Sequence, residues 1–69
     1  MYSLYKMPVD AHDDPPNCGI ELRRFDDVDI AIRDAERTMS QDNDPDSSYF
    51  VIHSDTHQHI YSTGYVRLD

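Results

Sequence analysis

The stretch DDVDIAIRDAERTMS, residues 26–40, decides the fold because its apolar side chains follow a helical period. They recur at spacings of three and four residues, which places them on one stripe of an α-helix. Asp26 is the predicted N-cap, since an aspartate there can accept the free backbone N–H groups of the first turn. We therefore predict a helix over about residues 26–40. Its predicted buried stripe consists of Val28, Ala31, Ile32, Ala35 and Met39.

The segments on either side of this helix have the composition of β-strands. Runs at 2–7, 20–25, 48–53 and 58–66 are rich in β-branched and aromatic residues, and proline, glycine, asparagine and aspartate separate them. The predicted order is therefore β-β-α-β-β. Together these patterns predict a single small α+β domain over residues 1–69, with a short antiparallel sheet and one amphipathic helix packed on one face.

The charge of the chain restricts the partners that it can bind. Fourteen carboxylates against six Lys and Arg give a formal charge of −8. A surface of this kind is unsuited to direct contact with the phosphates of nucleic acid, which need clustered cations. It favours a protein partner with a basic surface, although an acidic surface can also serve solubility alone.

The single cysteine and the N-terminal segment bear on the compartment. Cys18 has no second thiol in the chain with which to form a disulfide, which is typical of a reducing compartment. Residues 1–8 are too short and too polar for a signal peptide or a membrane span. We therefore expect a cytoplasmic protein with no membrane partner.

The alternation of side chains along the last two strands predicts which face of the sheet meets the helix. One set of residues is expected to face the helix: Phe50, Ile52, Ile60 and Val66. The opposite set is expected to form an exposed face that binds a protein partner: Tyr49, Val51, Tyr61 and Tyr65. Tyrosines also occur as ordinary strand residues, so the aromatic composition has a second explanation. A small core, free sheet edges and such a face together favour a homodimer.

Histidines around the predicted hairpin are the nearest approach to a metal site. His53, His57 and His59 surround one turn, and 53 and 59 share strand parity. Zinc requires three or four ligands in tetrahedral reach, and no thiolate completes this group. We therefore predict no metal and no cofactor. A small metal-stabilised domain that uses these histidines is the alternative function.

The sequence does not favour an enzyme. Cys18 lacks a defined base and an oxyanion hole in its neighbourhood, and so short a chain has little volume for a concave active site. No catalytic residue is predicted.

Two acidic loop segments are the remaining candidates for a functional surface. They are Asp10, Asp13 and Asp14 in the loop before residue 20, and Asp42, Asp44 and Asp46 after the helix. The sequence predicts a small acidic, non-enzymatic binding protein that modulates or inhibits a larger protein or assembly. Phage-encoded and accessory inhibitors share this size and charge, and the carboxylates could imitate the charge of a nucleic acid.

Overall fold

The computed structural model describes residues 1–13, 15 and 17–64, which form four strands and one helix. The strands are β1 (Tyr2–Pro8), β2 (Ile20–Phe25), β3 (Ser47–His53) and β4 (His59–Gly64), and the helix is α1 (Val28–Asp42). The predicted element order and the α+β class are confirmed.

All neighbouring strands of the sheet are antiparallel, and their spatial order is β2-β1-β3-β4. Helix α1 connects β2 to β3, so it crosses β1 on one face of the sheet. The two central strands, β1 and β3, pair from Tyr2 with His53 at one end to Pro8 with Ser47 at the other. This register places the loop after β1 beside the turn that precedes β3.

Helix α1 begins and ends slightly later than predicted. The N-cap is Asp27 rather than Asp26, and its carboxylate accepts the backbone N–H groups of Asp29 and Ile30. The helix ends at Asp42, followed by Asn43 in the left-handed conformation, whose N–H donates to the Met39 carbonyl. Asparagine tolerates that conformation better than most residues, which explains the stop.

The buried stripe of α1 contains two polar residues that the apolar period did not predict. Ala31 and Ala35 are fully buried as expected, and Asp34 and Thr38 are each only 5 % exposed. Val28, Ile32 and Met39 are partly buried. The stripe is therefore rotated toward Asp34 and Thr38, and away from Ile32.

The predicted orientation of the sheet is wrong for most of the residues that it assigned. Tyr49 and Val51 lie at 0 % exposure in the core beneath α1, together with Leu4, and Tyr61 packs against them. Phe50 and Ile52 lie on the opposite, outer face. Of the described residues predicted to face the helix, Ile60 alone packs on that core.

A β-bulge explains this mixture. Val51 pairs with Tyr61, but Ile52 pairs with His59, so Ile60 is an extra residue that breaks the alternation of β4. Tyr65 and Val66, the remaining members of the two predicted sets, lie outside the described residues.

The outer face of the sheet is also covered, by the loop between β1 and β2. Pro15 of that loop is buried and lies with Phe50 and Ile52 along a cavity of about 430 Å³. Met7, on the same face, is 2 % exposed, and Gly19 approaches it so closely that a Cβ atom there would meet the Met7 sulfur. Strand β3 is thus enclosed from both sides.

Within the described part of the chain, α1 is neither long nor apolar enough to cross a membrane.

Candidate functional site: the acidic end of the sheet

The two predicted acidic segments meet at one end of the sheet. Pro8 pairs with Ser47, and the backbone N–H of Val9 donates to the Asp46 carbonyl at 3.0 Å. Asp10 therefore follows directly beside the turn that carries Asp44 and Asp46. We call this surface the acidic end; it comprises Asp10, Asp42, Asp44 and Asp46, with Lys6 as the neighbouring cation.

Asp44 builds the turn between α1 and β3. Its carboxylate accepts the backbone N–H of Asp46 at 2.9 Å and the Ser47 hydroxyl at 3.0 Å. These bonds are stronger to the ionised form, and the hydrogen bond from the Asp46 backbone is the main reason that the pKa of Asp44 is lowered. The turn thereby holds a carboxylate in one position and keeps it charged.

The carboxylate of Asp42 is held in place by side chains of β3 and β1. Its carboxylate accepts the Tyr49 hydroxyl at 2.7 Å and the Lys6 ammonium at 3.3 Å. The hydrogen bond from Tyr49 is the main cause of the lowered pKa of Asp42. Conversely, burial first and the bond to Asp42 second raise the pKa of Tyr49 to about 12.

Lys6 lies between the two aspartates and does not neutralise the surface. Its ammonium is 3.3 Å from Asp42 and 3.5 Å from Asp44, and its hydrogen bond to Asp42 is the main cause of its raised pKa. The acidic end therefore has four carboxylates against one cation. The last turn of α1 contains no basic residue and directs the negative end of the helix dipole toward the same surface.

The structure unites part of the predicted acidic set. Asp10, Asp42, Asp44 and Asp46 share one end of the sheet, whereas Asp13 is exposed further along the loop and Asp14 lies outside the described residues. The register between Pro8 and Ser47 joins the segments, and sequence alone contains no signal for it.

The described residues of the predicted tyrosine face have structural positions instead. Tyr49 and Val51 are inaccessible beneath α1, and the Tyr61 hydroxyl donates to Glu36 of the helix at 3.2 Å. The premise of an exposed tyrosine face is therefore wrong for these three residues. Tyr49 contributes to the acidic end from within the core, because its hydroxyl donates the hydrogen bond that orients Asp42.

The hairpin histidines do not converge. His53 packs edge-on against Tyr2, at 5.5 Å between ring centroids, and His59 packs against Phe50, at 5.6 Å. The bulge at Ile60 puts the two histidines on different faces, which corrects the expectation that they share one. The described residues contain no group of three or more His, Cys, Asp or Glu side chains placed to hold a metal ion.

A second charged group, which the helical period did not reveal, surrounds Asp34. Its buried carboxylate accepts Arg37 at 2.7 Å and also bonds Arg23 of β2. Arg23 donates in addition to the Thr38 hydroxyl at 3.2 Å. The signal in the sequence was Asp34, which lies beside the apolar stripe four residues before Thr38; this spacing places both polar side chains on one face of the helix.

No family model matches this chain, and the comparisons with curated proteins and with solved structures gave no significant match.

Proposed function

We propose that this protein is a non-enzymatic binding protein of the cytoplasm that docks its acidic end on a basic surface of a larger protein or assembly and so modulates or inhibits it. The observation that carries the proposal is the meeting of the two acidic segments, through the bond from Val9 to Asp46. Separately, each segment would be an ordinary polar loop. Together they concentrate negative charge where the helix dipole adds to it.

The fixed geometry of the acidic end supports a docking role over general solubility. Asp44 is held by two hydrogen bonds within its turn, and Asp42 is held by Tyr49 and Lys6. Carboxylates held in place lose less side-chain entropy on binding than freely rotating ones. Two carboxylates held in this way also suit a protein groove that otherwise accepts phosphates, as in imitation of nucleic-acid charge.

The experiment starts with affinity isolation of the partner from the source cell, using the full chain. Association and dissociation rates with that partner are then measured over a range of salt. Charge-driven docking predicts an on-rate that falls steeply with salt and a dissociation rate that changes less.

Two double variants with equal formal charge distinguish an effect of the acidic end from an effect of the net charge of the protein. Asp10→Asn with Asp46→Asn removes two carboxylates from the acidic end, and Asp26→Asn with Asp55→Asn removes two from the opposite end of the sheet. We expect the first pair to slow association about tenfold and the second pair to slow it less than about twofold. Equal effects of the two pairs, or an on-rate that is flat with salt, would refute the proposal.

A further inference from the structure

A groove along α1 carries a cluster of arginine side chains. The groove encloses about 290 Å³ and is lined by Ile30, Arg33, Asp34 and Arg37. Arg23 of β2 bonds Asp34, so β2 lies next to this groove. We call these four lining residues with Arg23 the arginine groove.

Asp34 holds two guanidinium groups in place. Its side chain is 6 % exposed, whereas those of Arg37 and Arg23 are 68 % and 48 % exposed. A buried carboxylate needs compensating partners, and here one carboxylate has two. The arginines are therefore oriented before a ligand arrives, while their remaining N–H donors stay open to solvent.

One of the three arginines at the groove has no ion-pair partner. Arg23 and Arg37 bond Asp34, and Arg33 lines the same groove, so three guanidinium groups gather there in a chain of formal charge −8. Among the described residues, Arg33 has neither a hydrogen bond nor an ion pair, although the chain contains 14 acidic residues. Guanidinium forks pair most strongly with carboxylate or phosphate oxygens.

An unpaired strand edge lies beside the groove. Strand β2 is at the edge of the sheet and pairs only with β1 among the described strands. Ile20 at its start is 67 % exposed, and Ile30 in the first turn of α1 is 55 % exposed. The open edge of β2, the oriented arginines and the exposed Ile30 thus lie near one another, and Ile20 lies at the far end of the same strand.

We propose that this side binds an extended acidic peptide segment of another protein, which adds to β2 as a further strand. Its backbone pairs with β2, its carboxylates bind Arg33 and Arg37, and its apolar side chains cover Ile20 and Ile30. Strand addition supplies affinity through the backbone and selectivity through alternate side chains. The six residues of β2 span about 20 Å, which is long enough for such a segment. This surface adjoins the acidic end where Ile20 pairs with Lys6, but its proposed role does not depend on the function proposed for the acidic end.

The test uses the full chain and a synthetic eight-residue peptide of alternating glutamate and valine. At physiological salt the distant carboxylates are screened beyond about 8 Å, so contact with the groove decides binding. We expect amide chemical-shift changes along β2 and changes at the Arg33 and Arg37 side chains. A peptide with glutamine in place of glutamate should bind at least about tenfold more weakly.

Matched variants locate the binding site. Arg33→Gln removes an exposed cation from the groove and should weaken binding about tenfold without unfolding the protein. Gln58→Glu changes the net charge by the same amount at an exposed position before β4, at the other edge of the sheet, and should change binding less than about twofold. Ile30→Ser should also weaken binding. Loss of the acidic end in Asp10→Asn with Asp46→Asn should leave peptide binding intact, which separates this inference from the proposed function.

Four results would overturn the assignment. If the glutamine peptide bound as tightly as the glutamate peptide, charge would have no role in binding. If the chemical-shift changes were confined to other surfaces, the peptide would not bind at the arginine groove. The same shifts with inorganic phosphate alone, at equal concentration, would show a site for free anions. Shifts of β2 and of the acidic end on dilution without peptide would show that a second copy is the occupant.

Discussion

The two faces of the sheet are buried by different kinds of structure. Helix α1 covers the inner face, where Leu4, Tyr49 and Val51 have no exposed surface. An irregular loop covers the outer face, where Met7 and Ile52 are only 2 % exposed. A helix supplies its own backbone hydrogen bonds, whereas a loop depends on close fits such as that of Gly19 on Met7. The inner face should therefore contribute most to the stability of the fold.

The largest expected effect compares two adjacent residues of β3 on opposite faces. Tyr49→Ala on the inner face should destabilise the protein by about 3 to 5 kcal/mol. Phe50 is half-buried on the outer face, so Phe50→Ala should destabilise the protein by only about 1 to 2 kcal/mol. A domain of 69 residues has roughly 4 to 10 kcal/mol in total, so the first variant approaches complete unfolding. Urea unfolding followed by circular dichroism measures both, and a larger loss for Phe50→Ala would reverse our assignment of the faces.

A smaller effect is expected where the loop meets the outer face. Gly19 has a φ of +90°, and a Cβ atom there would lie 2.7 Å from the Lys6 carbonyl oxygen and would also meet the Met7 sulfur. Gly19→Ala should therefore cost about 1 to 3 kcal/mol, since both the backbone and the fit are disturbed. Asn17→Ala, at an exposed position of the same loop, is the control and should stay within about 0.5 kcal/mol. Equal stability of both variants would mean that the loop does not pack on the sheet.

The last expected effect appears only at high pH and concerns the ionisation of the buried Tyr49 hydroxyl. The pKa of Tyr49 is raised from 10.0 to about 12 because burial disfavours the phenolate. The folded state therefore keeps a proton that the unfolded chain releases, so the stabilisation is fully present below about pH 10 and is lost between about pH 10 and 12. Ultraviolet absorbance should show one phenol that ionises near the upper value and is absent from Tyr49→Phe. Ionisation of every tyrosine at its ordinary pH in the folded protein would contradict the buried hydroxyl.

The sequence predicted the elements of this protein better than the direction in which they face. The helix and the four strands follow from local period and punctuation, and these are local properties. Strand β3 is buried on both sides, so Tyr49, Phe50, Val51 and Ile52 form a continuous apolar run without alternation. The alternation of side chains therefore could not show which residues face the helix, and our assignment of Phe50 and Ile52 to that face was wrong.

The remaining features depend on pairing between distant segments. The extra residue Ile60 in β4 separates His53 from His59, and no local pattern marks it. The acidic end requires the register of Pro8 with Ser47, and the arginine groove requires Arg23 to meet Asp34 across the sheet and helix. Composition correctly indicated which residue types were available, but only the topology determines which of them meet.

Strand β1 precedes the other three strands along the sequence and yet lies in the interior of the sheet, with β2 on one side and β3 on the other. Tyr2 pairs with His53, and the Ser3 and Ser54 hydroxyls bond at 2.7 Å. A nascent chain can form the β1–β2 hairpin early, but one edge of β1 stays open until His53 has been synthesised. At about 5 to 20 residues per second that delay lasts a few seconds. During translation the protein thus passes through a stage with an exposed strand edge, the stage at which chaperones and aggregation compete for it.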